Sequence, residues 1–193
     1  MHYKIKRWQN VKINNIKING FGKLENKEIK FDDHINLIYG ENEAGKTTFL
    51  KFISGMFYGL SKNKNKKEFS DFERYTPWQA QEFSGKMNYQ LDNHEEYEIF
   101  RDFTKKNPKI YNNSEDISKS FNIDKNKGNE FFYEQTKIDE HMFYSTTLIE
   151  QKEVTLNNNE QAVLTQKIAN ILSTGEENLS YKKTIDKLNK KQV

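Results

Sequence analysis

The residues best suited to chemistry form one glycine-rich octapeptide, Gly40-Glu41-Asn42-Glu43-Ala44-Gly45-Lys46-Thr47. It fits the pattern G-x-x-x-x-G-K-[ST], in which backbone N–H groups wrap phosphate oxygens and the glycines permit a tight turn. We expect Lys46 to reach the β- and γ-phosphates of a nucleotide and Thr47 to ligate Mg²⁺. A helix beginning near Lys46 would direct its positive dipole end at the same anion. The segment from Gly40 to Thr48 is therefore the predicted site for ATP with Mg²⁺.

The elements around the octapeptide occur in the order that a phosphate-binding loop requires. Ile35–Tyr39 is a largely apolar run that ends at Gly40, and it predicts a buried central strand. After the loop, apolar residues recur at helical spacing as far as Gly59, a residue suited to a helix C-terminus. These residues are Phe49, Leu50, Ile53, Met56 and Phe57.

The rest of the first 110 residues is rich in predicted strands. Alternating apolar residues predict a strand at Val11–Ile18 and a second at Lys27–Phe31. Gly85–Leu91 and Glu96–Phe103 predict a hairpin, and a shorter strand near Lys109–Tyr111 adds an edge. Between these strands, Asp71–Gln81 gathers aromatic residues around Arg74 and Pro77, for which core burial and function are both open. The aromatic residues are Phe72, Tyr75 and Trp78.

The C-terminal third favours helices. Asn113–Gly128 is polar and loop-like, Phe131–Gln151 is expected to be mostly helical, and Ala162–Leu172 is amphipathic. Leu179–Val193 places apolar residues at spacings of four and three, which fits the first turns of a coiled coil and a surface helix equally well. The spaced residues are Tyr181, Ile185 and Leu188.

Composition excludes several classes of protein. The chain of 193 residues is long enough for one compact domain with an appendage, and its net charge of +3 permits a polyanion partner without requiring one. Cysteine is absent, so no disulfide or thiolate metal site is expected, and a reducing cytoplasm fits. No apolar stretch approaches the roughly 18 residues of a membrane span. The first ten residues show no clear period and are expected to lie outside the fold.

Hydrolysis needs groups that this sequence does not supply in the usual form. An acidic residue on a second strand must hold the Mg²⁺ shell, and another group must orient the attacking water. No run of four apolar residues followed by Asp and Glu occurs after the loop, and Leu148-Ile149-Glu150 is too short. No guanine-binding Asn-Lys-x-Asp motif ends a strand. The sequence therefore predicts an incomplete catalytic site.

Three segments, Ile16–Gly22, Ile38–Thr48 and Gly55–Gly59, carry a family resemblance. The chain resembles the N-terminal lobe of SMC/RecF/SbcC-like ABC ATPases and most closely YhaN-type proteins, to which Asn42-Glu43-Ala44 inside the loop is particularly similar. The similarity extends from about Val11 to Asn189. The resemblance implies an α/β P-loop lobe with a mixed sheet, an antiparallel β portion and the start of a coiled coil.

The resemblance also implies domain bounds and further site residues. It gives an N-terminal extension at residues 1–10, the head lobe at 11–175 and the start of a coiled coil at 176–193. Phe143–Glu153 is similar to the family's Q-loop segment, which places Gln151 at Mg²⁺ and the attacking water. By the same resemblance Lys46 and Gln151 are the catalytic residues, and Thr47 and Gln151 the metal ligands.

The function implied by the resemblance is that of an ATP-binding head lobe in DNA repair or chromosome maintenance. Hydrolysis would require a C-terminal lobe absent from this chain, so little activity is expected from the chain alone. The implied partners are that lobe, a second head and DNA, with a nuclease subunit as a further candidate and no membrane. The alternatives are a non-hydrolysing, nucleotide-dependent interaction module and a remnant of a truncated gene.

Two arginines have both a functional and a structural interpretation. Arg74 could contact nucleotide and Arg101 could contact the DNA backbone. The structural interpretation of each is an ordinary surface or hairpin salt bridge. For both residues the structural interpretation is favoured.

Overall fold

A computed structural model describes residues 10–62, 69–79, 82–124 and 128–148. Its described residues up to Glu140 belong to one compact unit, which contains all the strands that the structure describes. Residues 141–148 belong to a second unit and form the end of one short helix and one π-helical turn. Within these ranges, no helix has the length and apolar character needed to cross a bilayer.

The main sheet has six strands in the order β2-β1-β3-β4-β5-β6. Every strand pair among the described residues is antiparallel. A separate ribbon pairs β7 (Ile123–Asp124) with β8 (Gly128–Asn129). The six strands are β1 (Val11–Phe21), β2 (Leu24–Lys30), β3 (Ser84–Leu91), β4 (Glu96–Asp102), β5 (Lys109–Asn112) and β6 (Glu115–Asp116).

The helices are short except for the one that follows the glycine-rich loop. That helix, α1 (Lys46–Tyr58), has 13 residues and ends at Gly59, whose φ is 85°. The others are α2 (Asp71–Tyr75), α3 (Phe131–Thr136) and α4 (Glu140–Met142), with a 3₁₀ turn at Ser118–Ser120 and a π turn at Phe143–Thr147.

The core lies where one face of the sheet meets α1. Alternation along the strands buries one side of each, for example Met87 and Tyr89 on β3 and Ile99 on β4. Gly85 allows the close approach of α1, because an added Cβ would lie 2.5 Å from the ring of Phe52 and 2.7 Å from the carbonyl oxygen of Lys17. The helix therefore lies against β3 at a glycine.

An aromatic cluster forms the centre of this core. Phe21 on β1 lies 5.3 Å from Phe52 on α1 and 5.0 Å from Phe103, measured between ring centroids. Tyr75 of α2 stacks on Phe21 at 5.2 Å. The cluster thus joins the first strand, the loop helix and α2, and it fixes the turn after β1 against them.

Most of the predicted elements are present. The hairpin of β3 and β4, the helix α1 and the strands β1 and β2 are confirmed, with ends shifted by a few residues. β5 is not an edge strand, because β6 pairs outside it. The segment predicted as a polar loop, residues 113–128, contains β6, the 3₁₀ turn and β7. The helical prediction for residues 131–151 is confirmed only in part, as two short helices and a π turn.

The predicted central strand over Ile35–Tyr39 is wrong for this structure. These residues belong to no strand, and Ile35, Leu37 and Tyr39 are 95%, 82% and 87% exposed. An apolar run becomes a buried strand only when neighbouring strands supply backbone partners and cover both faces. No described strand does so here. The parallel part that a mixed sheet needs is accordingly not among the described residues.

Side-chain burial corrects the sequence interpretation at several positions. Leu50 and Ile53 of α1 are only half-buried, whereas Phe52 is fully buried. In the aromatic group of residues 71–81, Tyr75 packs into the core while Trp78 is 97% exposed. Spacing alone identified the helix but misplaced part of its buried face.

Arg101 is buried, so the structure supports neither the surface salt bridge nor the DNA-backbone contact considered for this residue. It is 3% exposed, and its Nε donates to the carbonyl oxygen of Met56 at 3.0 Å. Its Nη2 donates to the carbonyl oxygen of Phe57 at 3.4 Å. Arg101 therefore binds the C-terminal turn of α1, where carbonyl groups have no partner inside the helix.

Candidate nucleotide-binding site

The glycine-rich loop forms a compact turn between residues 40 and 46. Glu43 and Gly45 have φ angles of 64° and 100°, and the N–H of Ala44 donates to the carbonyl oxygen of Glu41 at 3.2 Å. Glycine suits position 45, because an added Cβ would lie 2.9 Å from Cδ2 of Leu24 and the backbone is left-handed. The N–H of Phe49 donates to Gly45 at 2.8 Å, so the helix begins directly after the loop.

Lys46 points back into this turn. Its Nζ donates to the carbonyl oxygens of Gly40 and Glu41, at 2.8 Å and 2.7 Å. The side chain is exposed, and no salt bridge within the described ranges involves it. An ammonium held by carbonyl groups can exchange them for phosphate oxygens, because the full negative charge of a phosphate attracts it more strongly than the partial charge of a carbonyl oxygen.

The two threonines that follow Lys46 face different surroundings. Thr47 is exposed in the first turn of α1, where its hydroxyl is accessible to a metal ion. Thr48 is half-buried, and its methyl carbon lies 3.0 Å from the position that a Cβ on Gly22 would occupy. The first turn of α1 carries no acidic residue. The helix N-terminus therefore keeps its positive character for an anion.

The turn between β1 and β2 completes the surroundings of the loop. Gly22 has a φ of 55°, and its N–H donates to the carbonyl oxygen of Tyr75 at 2.6 Å. The next residue, Lys23, donates from Nζ to the carbonyl oxygen of Glu43 inside the loop. Sequence reasoning missed Lys23, because a lysine in a polar turn has no pattern that separates it from solvent-facing lysines.

The structure does not place the other sequence-predicted site residues at the loop. Gln151 lies outside the described residues, as do the segments predicted as an amphipathic helix at 162–172 and as the start of a coiled coil at 176–193. Arg74 is exposed on α2, and Arg101 is buried at the far end of α1. The structure thus brings together the loop from Gly40 to Thr47 and Lys23.

A magnesium ion fits this site only together with a nucleotide. Among the residues that the structure describes, no group of three or more His, Cys, Asp or Glu side chains could hold a metal ion. The exposed hydroxyl of Thr47 is an available protein ligand. Mg²⁺ commonly takes one or two protein ligands together with phosphate oxygens and water. When bound in this way, the ion would neutralise charge that develops on the phosphates.

Comparison with known proteins identifies the family. The model of the AAA domain family AAA_23 matches residues 15–193, which is nearly the whole chain. The chain belongs to the AAA_23 family of AAA domains. This AAA domain contains all of the loop described above and the turn that carries Lys23.

Two curated relatives match a shorter part of the AAA domain. The Septu protein PtuA of Bacillus thuringiensis and the uncharacterized protein YhaN of Bacillus subtilis (strain 168) are each 40% identical to it over 55 residues. Each match covers 28% of this chain, and it covers 14% of PtuA and 6% of YhaN. The matched part is therefore a small fraction of both relatives. The likeness to YhaN-type proteins expected from the loop sequence is confirmed.

A solved structure of the recombination mediator protein RecF with ATP is also similar to the AAA domain. It is 19% identical and covers 57% of this chain and 29% of the RecF chain, with a TM-score of 0.38. The α/β class of a P-loop ATPase lobe, with its antiparallel β portion, is confirmed by the family and by the observed elements.

Proposed function

We propose that this chain is the ATP-binding lobe of an SMC/SbcC-like ATPase head that acts on DNA. The observation that carries the proposal is the loop from Gly40 to Thr47 at the N-terminus of α1. Among the described residues its lysine donates to two loop carbonyls and forms no salt bridge, and its threonine is exposed. Such a loop offers backbone N–H groups, one ammonium and one hydroxyl to a triphosphate with Mg²⁺.

A complementary lobe is part of this proposal. Ile35–Tyr39 leads directly into the loop and is exposed, although its apolar residues suit a buried strand. Leu50 and Ile53 on α1 are only half-buried as well. Strands of a second lobe would cover the apolar run and would supply the acidic residue for Mg²⁺ that this sequence lacks. Gln151 is proposed to contact Mg²⁺ and the attacking water in the completed head.

Association with a second head and with DNA is proposed on the family resemblance. Lobes of this kind form heads that hold ATP between two copies, so that binding and hydrolysis control association and release. The net charge of +3 is compatible with a DNA partner and does not favour one strongly. A nuclease subunit remains a candidate partner on the same basis.

The proposal is tested by titrating the 193-residue chain with Mg²⁺-ATP in a calorimeter. We expect Lys46→Ala to weaken binding by about 10- to 100-fold, the equivalent of one hydrogen bond to a charged group. Lys109→Ala, which removes an exposed lysine on β5, is the matched control and should bind normally. A folded wild-type chain that binds no nucleotide would refute the assignment of the loop.

Phosphate release, measured on the same samples, separates the proposed head lobe from its alternative. We expect turnover only after a complementary lobe is added, with Lys46→Ala inactive in both conditions. Tight binding without turnover, even with that lobe present, would instead support a nucleotide-dependent interaction module that does not hydrolyse ATP.

A further inference from the structure

The charge of the glycine-rich loop is poorly matched to a polyphosphate. The octapeptide contains two carboxylates, Glu41 and Glu43, and a single cation, Lys46, so its own net charge is −1. Both glutamates are exposed. A second cation close to the loop would therefore favour anion binding by reducing this negative potential.

Lys23 lies close enough to the loop to be this second cation. Its Nζ donates to the carbonyl oxygen of Glu43, and no salt bridge within the described residues involves it. Its Cγ and Cδ atoms each lie 3.6 Å from the place of a Gly45 Cβ, so its stem runs along the loop. The side chain is exposed and carries four flexible methylene groups.

The turn that carries Lys23 is held in place on two sides. The N–H of Gly22 donates to the carbonyl oxygen of Tyr75, and Phe21 stacks on the ring of Tyr75 in the core. Gly22 itself lies beside the methyl group of Thr48 in the first turn of α1. The backbone of Lys23 is thus fixed, whereas its ammonium is free to exchange one acceptor for another.

We propose that Lys23 is a phosphate-binding residue of this site, whose ammonium moves from the carbonyl oxygen of Glu43 to a phosphate oxygen when nucleotide binds. This inference rests on the proposed ATP binding. It adds a ligand from the turn between β1 and β2, which lies outside the glycine-rich motif. Exchange is favourable because a bond to an anionic oxygen is stronger than a bond to a neutral carbonyl.

The test compares four forms of the 193-residue chain: wild type, Lys23→Ala, Lys23→Arg and Lys27→Ala. Lys27 is an exposed lysine of the same hairpin and provides the matched control. We expect Lys23→Ala to weaken Mg²⁺-ATP binding by about 10-fold. Lys23→Arg should retain most of the affinity, and Lys27→Ala should stay within about twofold of wild type. Binding of inorganic tripolyphosphate should fall with Lys23→Ala in the same proportion, since the contact is with phosphate.

Thermal unfolding without nucleotide separates ligand binding from loop stability. Lys23 is exposed, so Lys23→Ala should unfold at the wild-type temperature. An affinity for Mg²⁺-ATP equal to that of Lys27→Ala would overturn the inference, and so would a loss of affinity matched by a loss of nucleotide-free stability. If wild type itself binds no nucleotide, it is the proposed function that fails.

Discussion

Arg101 differs from Lys23 and Lys46, which also donate to carbonyl groups, because its guanidinium is buried. Burial lowers the pKa of its guanidinium to about 9, so Arg101 remains charged at neutral pH. Its charge lies against the C-terminal turn of α1, where the helix dipole is negative. The residue thus connects β4 to the helix that follows the nucleotide loop.

Replacing Arg101 should destabilise the fold. We expect Arg101→Met to lower the free energy of unfolding by about 1–3 kcal/mol, because the carbonyl groups of Met56 and Phe57 lose their donor in the core. Urea denaturation measures the change. Arg74→Met, which changes an exposed side chain of α2, is the control and should change this free energy by less than about 0.5 kcal/mol. A variant as stable as wild type would mean that relief from burying the charge cancels the lost hydrogen bonds.

At the residue scale, the sequence identified the groups with a fixed motif spacing. Gly40, Gly45, Lys46 and Thr47 lie in the loop and first helical turn where the pattern places them. Lys23 and Arg101 had no such pattern. Lys23 reaches the loop only because a hairpin and α1 meet, and the burial of Arg101 follows from the packing of β4 on α1. Both the contact of Lys23 with the loop and the burial of Arg101 depend on tertiary structure.

The helix α2 shows how a short element near the site is stabilised. Ser70 and Glu73 form a capping box: the hydroxyl oxygen of Ser70 accepts from the backbone N–H of Glu73, and the carboxylate of Glu73 accepts from the backbone N–H of Ser70. The backbone N–H and the hydroxyl of Ser70 both donate to Glu73, and they lower the pKa of its carboxyl group. Since α2 holds Gly22 through Tyr75, this cap contributes to the position of the β1–β2 turn.

The capping box should make part of the stability depend on pH. The pKa of Glu73 is lower in the folded chain than in the unfolded one, so its contribution is full above the ordinary glutamate pKa and is lost as the pH falls through the folded value. We expect Glu73→Gln to have a lower free energy of unfolding than wild type at pH 7. The gap between the two free energies should become smaller in acid. Urea denaturation across this range measures it.

The matched control for the cap is Glu115→Gln, on exposed β6. We expect the free energy of unfolding of Glu115→Gln to stay close to that of wild type at every pH. A Glu73→Gln difference that persists unchanged in acid would contradict the role assigned to the carboxylate. It would show instead that the amide fails to fit the turn.

At the element scale, local patterns predicted the elements whose partners lie inside the described unit. The β3–β4 hairpin and α1 formed as expected, because alternation and helical spacing match faces that the sheet and helix cover for each other. Ile35–Tyr39 did not become a strand. Its apolar pattern is typical of a buried strand, but no described strand covers it.

The exposed apolar run affects the behaviour of the whole molecule in solution. Ile35, Leu37 and Tyr39 present large exposed side chains in a segment that pairs with no described strand, and such a segment promotes association between chains. We expect Leu37→Lys to raise the monomeric fraction of the isolated chain. Light scattering after gel filtration measures this fraction over a range of protein concentrations.

A suitable control is Ile123→Lys, which changes a residue 56% exposed outside this run. We expect it to leave the monomeric fraction unchanged. Equal effects of both substitutions would indicate that added charge, and not the apolar run, governs association. Wild type that is fully monomeric at every concentration would contradict the prediction.

At the scale of the whole molecule, the sequence predicted the family. It did not predict that the apolar run Ile35–Tyr39 lies exposed in this structure. The motif and its flanking segments were sufficient to indicate the P-loop lobe, and the family match confirms it. Whether an apolar segment is covered depends on surfaces distant in sequence or on another chain. Local sequence patterns give no information about those surfaces.

The contact between Arg101 and α1 also sets an order for folding. The carbonyl group of Met56 and its donor are 45 positions apart in the chain, so α1 cannot acquire this cap until β4 has joined the sheet. Because closing the intervening loop costs chain entropy, we expect this contact to form late in folding. Local helix formation around Lys46 would therefore precede its final stabilisation. Substitutions at Arg101 should consequently accelerate unfolding more than they slow folding.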